Sequence, residues 1–574
     1  MNTAGRVEAH LPGIAVVKGY RRGWLAKDVV AGLVLSALLV PQGMAYAELA
    51  GLPPITGLYT SIMCLLGYAV FGPSRVLVLG PDSALGPMIA ATLAPLVLAD
   101  GDPTRAIALA SMLAVIVGVL MTVAGSARFG FVADLLSKPT QIGYMNGLAL
   151  TIVVGQLPKL CGFSVDATGL IQDAKGFVSG VSNGEVNGTA ATIGLLSLVG
   201  ILLLQRLMPR VPAVLVAVVL ASVAVDAWNL EAHGVDTIGV LPSGFPPFTI
   251  PTAHWGELPA LFGGALGIAL VALADTMSTS SSFAARRGER VHGDQEMVGI
   301  GAANIAAGFF QGFPVSTSGS RTAVAEQSGS KSQLTGVVGA ATIALILISA
   351  PWLMQYVPQP TLGAIVIAAA LSLADLLGTR RLWHQRPMEF GLSVLAFVGV
   401  ALFGVLPGIL IAVTLSILNV FRRLWWPHQT TLGRVAAIPG LHDTVEYPDA
   451  EELPGLVVFR FDAPLIFANA RTFDEHVREL VTERPDLRWL LLAAEPVTDV
   501  DTTAADMLER LDTWLNGRGV SLVFAELKDP VRDKLEHYDL TRTIGPDHFY
   551  PTLDAAIASY TEATGITWRP PIEE

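Results

Sequence analysis

Apolar residues run through the first three quarters of the chain in stretches too long and too continuous for the surface of a soluble domain. Set against the roughly 20 residues that a bilayer-crossing helix needs, they mark fourteen candidate spans: 29–47, 55–72, 82–99, 106–126, 132–157, 187–206, 212–227, 260–283, 296–311, 318–329, 333–355, 360–377, 388–405 and 408–424. The tenth is too short to cross alone, and the third has an interrupted start. Beyond residue 430 the pattern changes. Apolar, strand-like runs at Leu456–Phe461, Trp489–Ala493 and Val520–Ala525 alternate with helical patterns over Ala470–Thr482, Thr503–Asn516 and Pro530–His537. This alternation predicts a small α/β domain whose helices cover one face of a mixed sheet.

Composition agrees with a polytopic membrane protein: 52% of the 574 residues are hydrophobic and 15% charged, with a mean hydropathy of +0.55. The net charge of −12 sits mostly in the tail, where 27 Asp/Glu face 12 Lys/Arg from Gly440 onward. An acidic soluble domain fits that balance, and a nucleic-acid partner does not. The two cysteines, Cys64 and Cys161, have neither disulfide-framework nor metal-ligand spacing. Basic residues ahead of the apolar run Val29 to Val40 mimic a signal peptide, but no clear cleavage site follows, so the run reads as a retained first span.

If the N-terminus is cytoplasmic, nineteen Lys/Arg fall in inside segments, while the outside segments hold only Arg105, Lys159 and Lys175. By the positive-inside rule both termini are expected in the cytoplasm of a cell with this chain in its plasma membrane, the inner membrane of a bacterium.

Two stretches interrupt the helical pattern in matching places. Leu79-Gly-Pro-Asp-Ser-Ala-Leu85 and Gly312-Phe-Pro-Val-Ser-Thr-Ser-Gly-Ser-Arg-Thr322 each begin extended, pass through Gly or Pro, and then become helical. Irregular backbone at membrane depth is tolerated where it lines a cavity. A half-helix starting there presents bare N–H groups that attract anions. The distance from Gln42 to Asp82 is 40 residues and from Asp275 to Ser320 is 45, consistent with two copies of a seven-span unit. An odd number of spans inverts the second copy, bringing the two half-helix starts together near the midplane.

Pro41-Gln-Gly-Met-Ala-Tyr-Ala-Glu-Leu-Ala-Gly-Leu-Pro-Pro-Ile-Thr-Gly-Leu-Tyr59 resembles the signature of the sulfate permease (SulP) family, and Gly308 to Thr322 resembles that family's tenth-span motif. The resemblance covers nearly the whole chain. It implies the inverted-repeat fold shared with uracil transporters, in which a core domain moves against a gate domain, followed by a cytoplasmic STAS domain. It also implies secondary transport of a small anion such as sulfate, bicarbonate or a dicarboxylate, by cation-coupled symport or by exchange, and a homodimer. The expected organisation is a cytoplasmic N-terminus 1–28, a transmembrane domain 29–426, a linker 427–444, a STAS domain 445–565 and a tail 566–574.

The resemblance places Ser320 and Arg321 at the anion site, with Gly319 at the half-helix start and Gln42 and Tyr46 lining the same pocket. Asp82, Ser83 and Ala84 open the other half-helix. An arginine at membrane depth is costly, so Arg321 either marks the anion pathway or pairs structurally with Asp275. Asp275 lies mid-span, and Thr279 follows one turn later on the same face. Together they suit a small cation such as Na+, or Asp275 alone suits a proton. The Asp–Thr spacing resembles the sodium site of bicarbonate-transporting relatives, whereas many members have Glu at the acidic position. Asp82 departs from the uncharged residue of many relatives; it is either a helix cap or an acid whose protonation links proton entry to anion entry. Glu48 is a further proton-carrier candidate, or an interfacial residue.

In the tail, Val500-Asp-Thr-Thr-Ala504 stands where STAS antagonists carry a phosphorylatable hydroxyl. Thr503 takes that position and Ala504 replaces the usual Gly; Thr503 is therefore a candidate regulatory site, or a cap for the helix that follows. No nucleophile elbow, metal cluster or phosphate loop accompanies the buried polar residues, which argues against an enzyme, and no cofactor is expected beyond Na+ as a coupling ion. Two further readings are a membrane-anchored STAS scaffold without transport and a nucleobase permease, the latter poorly suited to a site containing Arg321.

Overall fold

A computed structural model of the chain describes residues 12–13, 18–97, 102–130, 137–165, 169–208, 211–288, 291–435 and 438–566. The chain divides into two compact units, residues 1–417 and 418–574.

In the first unit the helices are α1 (Leu25–Leu49), α2 (Pro54–Phe71), α3 (Gly86–Val97), α4 (Pro103–Ser126), α5 (Lys138–Leu160), α6 (Leu170–Ser182), α7 (Gly188–Leu207), α8 (Ala213–Ala227), α9 (Leu258–Arg287), α10 (Gly293–Phe309), α11 (Gly319–Gln327), α12 (Leu334–Ser349), α13 (Gln359–Leu373), α14 (Leu376–Gln385), α15 (Pro387–Phe403) and α16 (Val405–Trp425), the last continuing past residue 417. Each of the fourteen apolar segments coincides with one of them. The additions are α6, in the long connection after α5, and α14, a short basic helix ahead of α15. Among the described residues seven helices are long and apolar enough to cross a bilayer alone.

Two bundles make up this unit. One contains α1 to α4 and α9 to α12; the other contains α5, α7, α8, α13 and α15, and the bundles touch mainly where α1 meets α13 and α8. Close packing relies on small residues, as expected where water does not drive helix association. A Cβ on Gly57 of α2 would fall on the Gly43 carbonyl of α1, and one on Gly143 of α5 would fall on the Ser393 carbonyl of α15.

The interrupted stretches form two short strands, β1 (Leu79–Gly80) and β2 (Ser316–Thr317), which pair antiparallel with Leu79 opposite Thr317 and Gly80 opposite Ser316. Each lead-in is held by a buried amide side chain. Asn304 Oδ1 accepts from the Val315 N–H at 2.9 Å, and Gln333 Nε2 donates to the Ser74 and Leu77 carbonyls at 2.8 and 2.9 Å. The backbone groups left free by the broken helices are thereby satisfied without water.

The second unit contains β3 (Gln429–Val435), β4 (Ile438–Asp443), β5 (Leu456–Phe461), α17 (Ala470–Glu483), β6 (Trp489–Ala493), α18 (Thr502–Asn516), β7 (Ser521–Ala525), α19 (Asp529–His537), α20 (Leu540–Ile544), β8 (Phe549–Tyr550) and α21 (Leu553–Thr564). The sheet order is β4-β3-β5-β6-β7-β8, parallel from β5 to β8 and antiparallel through β3 and β4. Two expectations change here. Most of the supposed linker 427–444 forms β3 and β4, because Thr430, Thr431 and Leu432 are buried against the sheet. Helices also cover both faces. Phe459, Phe461, Leu490, Leu492 and Phe524 face the helices α17 to α20, while Val458, Leu491 and Val523 on the opposite face meet Ala556 and Tyr560 of α21. The tail beyond residue 566 lies outside the described residues.

Candidate functional site

The two half-helix starts meet at one wall of a cavity of about 1380 Å³ between the bundles. Gln42 and Tyr46 line it from α1, Asp82 and Ser83 from the start of α3, Asp275 and Thr279 from α9, and Gly319, Ser320 and Arg321 from α11. Pro41, one residue before Gln42, removes a helix hydrogen bond where α1 passes the cavity.

Arg321 is the largest fully buried side chain, 2% exposed. Its Nη1 donates to the Pro81 carbonyl, and its Nη2 lies 3.7 Å from Asp82 Oδ2. The guanidinium Nε and Nη2 have no hydrogen-bond partner among the described residues. Gly80 leaves the room it needs: a Cβ there would come within 3.2 Å of Arg321 Nη1. The structural pair with Asp275 does not form, because the half-helix start brings Arg321 to Asp82 instead. A buried guanidinium with donors to spare is unusual, since an unsatisfied buried donor is costly; an oxyanion accepting from Nε and Nη2 would remove that cost.

The remaining donors are sorted by their caps. Asp82 Oδ1 accepts the Ala84 N–H at 2.9 Å, so that amide is taken, and Ala84 does not line the cavity. Asp82 therefore acts both as a cap and as a partner of Arg321. At the other start Ser318 caps α11 by accepting from the Arg321 N–H, and its hydroxyl lies 3.1 Å from that of Ser320. The Gly319 and Ser320 N–H groups have no acceptor among the described residues, and both residues line the cavity. They form the bare helix start that favours an anion.

Asp275 has no hydrogen-bond or ion-pair partner among the described residues, although it lies at membrane depth. Thr279, one turn along, approaches Gly319, its Oγ1 lying 3.8 Å from a Cβ built there. One turn of α9 therefore brings a carboxylate and a hydroxyl toward the α11 start, an oxygen pair that fits a small hard cation. The charged side chains lining the cavity among the described residues are Asp82, Asp275 and Arg321.

Glu48 lies elsewhere. Its carboxylate is taken by Lys159 and Gln359, and it does not line the cavity; the helix turn between Tyr46 and Glu48 carries the side chain past the pocket. Thr503 is exposed on the first turn of α18, and the cap there is Asp501, whose Oδ1 accepts from the Ala504 N–H at 2.8 Å. Asn304, Gln333 and the cavity-lining Gln141 were absent from the residues expected at the site. Their signal is the expense of an amide at membrane depth.

Profile comparison matches residues 25–396 to the sulfate permease family. The chain belongs to that family. A STAS domain matches residues 447–556. This family member is 41% identical over 550 residues to a probable sulfate transporter of Mycobacterium tuberculosis (strain CDC 1551 / Oshkosh), covering 96% of this chain and 98% of the relative. It is 29% identical over 558 residues to high affinity sulfate transporter 2 of Stylosanthes hamata, covering 94% and 84%. Among solved structures, the murine Solute Carrier 26 family member A9 anion transporter superposes with a TM-score of 0.90 at 22% identity, over 98% of this chain and 95% of that one. The transmembrane domain of the cyanobacterial bicarbonate transporter BicA gives 0.60 at 22% identity, over 68% and 98%. These likenesses establish the fold: a helical polytopic membrane domain followed by a STAS domain.

Proposed function

We propose that this family member is a secondary active transporter of a small oxyanion, sulfate first among the candidates, working by alternating access across fourteen spans with both termini cytoplasmic. The observation that carries the reading is Arg321, a buried guanidinium whose Nε and Nη2 have no hydrogen-bond partner among the described residues, where two half-helices begin. The relatives named as sulfate transporters support the choice of anion.

Charge balance supports coupling to a cation. With Asp82 and Asp275 ionised against Arg321, an incoming anion adds negative charge to a partly buried site, where water offsets it poorly. A cation that enters with the anion restores the balance. Na+ held by Asp275 and Thr279 is one such cation; a proton on Asp275 or Asp82 is the other.

The test is uptake of labelled sulfate by full-length protein in liposomes, competed by bicarbonate and dicarboxylates under imposed Na+ and pH gradients. Uptake that follows neither gradient but requires a counter-anion inside would favour exchange. Absence of uptake by folded protein would favour a membrane-anchored scaffold.

A further inference from the structure

Glu48 ends beside the cavity rather than in it, and its contacts give it a different task. It is the last but one residue of α1, where the helix dipole disfavours a carboxylate. Both side-chain partners of its carboxylate come from the other bundle. Lys159 Nζ, at the end of α5, donates to Oε2 at 2.6 Å, and Gln359 Nε2, at the start of α13, donates to Oε1 at 2.7 Å. The Glu48 side chain is 9% exposed and that of Lys159 31%, so the pair is better shielded than an ordinary surface ion pair. Lys159 is also one of the three basic residues on the face that the charge pattern otherwise leaves empty; a local partner accounts for it.

The two sides of this contact belong to different bodies. α5 and α13 pack backbone to backbone here: a Cβ on Gly363 would lie 3.5 Å from the Leu160 nitrogen and 3.7 Å from Lys159 Cβ. On the other side Leu49, next to Glu48, lies against Gly86 at the start of α3, so Glu48 travels with the half-helix of the site. Along α1 the cavity is lined from Tyr46 back to Leu33, and along α13 from Ile365 on to Leu373. Glu48 and Gln359 lie just past the Tyr46 and Ile365 end of that lining.

We infer that Glu48, Lys159 and Gln359 form the outer latch of the transport cycle, a contact between bundles that must part each time the cavity opens on the side opposite Leu33. The inference rests on the alternating-access reading above. Because both acceptors of the carboxylate are served from the opposite bundle, separation removes both bonds together and returns the charges to water. That is the behaviour of a two-state contact rather than of a hinge. The latch residues do not touch the anion, so they act on rate and not on recognition.

The test uses full-length protein in liposomes with Cys64→Ser and Cys161→Ser as background, adding Glu48→Cys and Lys159→Cys together. Treatment with a short bifunctional methanethiosulfonate is expected to slow uptake by at least about fivefold relative to a monofunctional reagent, with recovery on reduction and anion binding changed by less than about twofold. A cross-linked protein that transports at the uncross-linked rate would overturn the latch, as would failure to cross-link, read by mass spectrometry. Independently of thiol chemistry, Glu48→Lys and Lys159→Glu should each alter turnover and the exchanged pair should restore it; additive effects in that cycle would also overturn the latch. If unmodified protein shows no uptake in the same liposomes, the transport reading itself fails, and the latch with it.

Discussion

Arg321 and Asp82 meet from opposite halves of the chain, with Nη2 3.7 Å from Oδ2 beside the antiparallel pairing of Leu79 with Thr317. The distance exceeds a hydrogen bond, so the carboxylate steadies the guanidinium without occupying its donors. Asp82 spends Oδ1 on the Ala84 N–H. An anion arriving at Arg321 must therefore contend with the Asp82 carboxylate whenever that group is ionised.

Arg321→Ala is expected to lower anion binding by at least about a hundredfold, the loss of a buried charge-assisted contact. Arg321→Lys should recover part of it, because an ammonium keeps the charge but lacks the planar pair of donors. Calorimetric titration of purified protein with sulfate measures both. Unchanged affinity in folded Arg321→Ala protein would remove the arginine from the site.

Asp82→Asn keeps the shape of the cap and removes the competing charge. Anion affinity should rise by about three- to tenfold at neutral pH, as expected for one unit charge at this range in a partly solvated site. If Asp82 is the proton carrier, wild-type affinity should climb as the pH falls and the variant should lose that slope, since protonation and substitution have the same effect on Arg321. A pH series of binding isotherms separates the two.

Asp275→Asn should abolish the dependence of uptake on the driving cation while leaving a reduced, uncoupled rate. Thr279→Val discriminates between cations: with Na+, removal of a ligating hydroxyl should raise the Na+ concentration for half-maximal uptake by about tenfold, whereas a proton-driven carrier should be nearly indifferent. Initial rates over a Na+ series at fixed pH supply the readout.

How much of this arrangement was legible beforehand follows from what each signal depends on. Continuous apolar runs located the helices because a bilayer imposes length and hydropathy together, and the strands β5 and β6 were read to the residue because each is a short, nearly continuous apolar run buried on both faces of the sheet. The meeting of Asp82 with Arg321 was not legible. Which acid meets the arginine depends on where the half-helix starts cross, and the sequence pointed only to Asp275 as its partner. Glu48 carried no warning of Lys159, which lies on another helix of another bundle. Residues 427–444 looked like a linker because Pro427, Gly433, Pro439 and Gly440 interrupt the pattern there, although Leu432 and the two threonines before it supply a buried edge for β5.

Asp443 holds that edge together. Burial alone would raise its carboxyl, but hydrogen bonds from Thr430 Oγ1, the Val445 N–H, His428 and the Glu446 N–H outweigh it and hold the group down to about 2. A carboxyl depressed on folding contributes stability above its unfolded value near 4, and that contribution fades as the pH falls toward 2. Asp443→Asn is expected to cost about 1 kcal/mol at pH 7, discounted for partial solvent exposure. Hydrogen exchange of the β3 and β4 amides in full-length protein should then quicken by about fivefold at pH 7, and the difference from wild type should narrow by pH 3.

Removal of the STAS unit should separate affinity from rate. Among the described residues the cavity is lined by positions up to Leu373, all in the first unit. The place of the cut matters. Ending the chain near Leu432 would leave half of β3 as a strand with no partner, an invitation to aggregation, whereas ending it after Trp426 keeps α16 whole and removes the sheet entire. Truncation after Trp426 is expected to leave sulfate affinity within about threefold of the full-length value, while uptake rate or assembly changes more, because an appended domain can restrain bundles that must move against each other. Binding isotherms in nanodiscs and initial uptake rates in liposomes, measured on both proteins, make the comparison. Loss of binding by a truncated protein that still elutes as a folded species would put part of the site in the second unit and contradict the assignment of Arg321 and its neighbours as the whole of it.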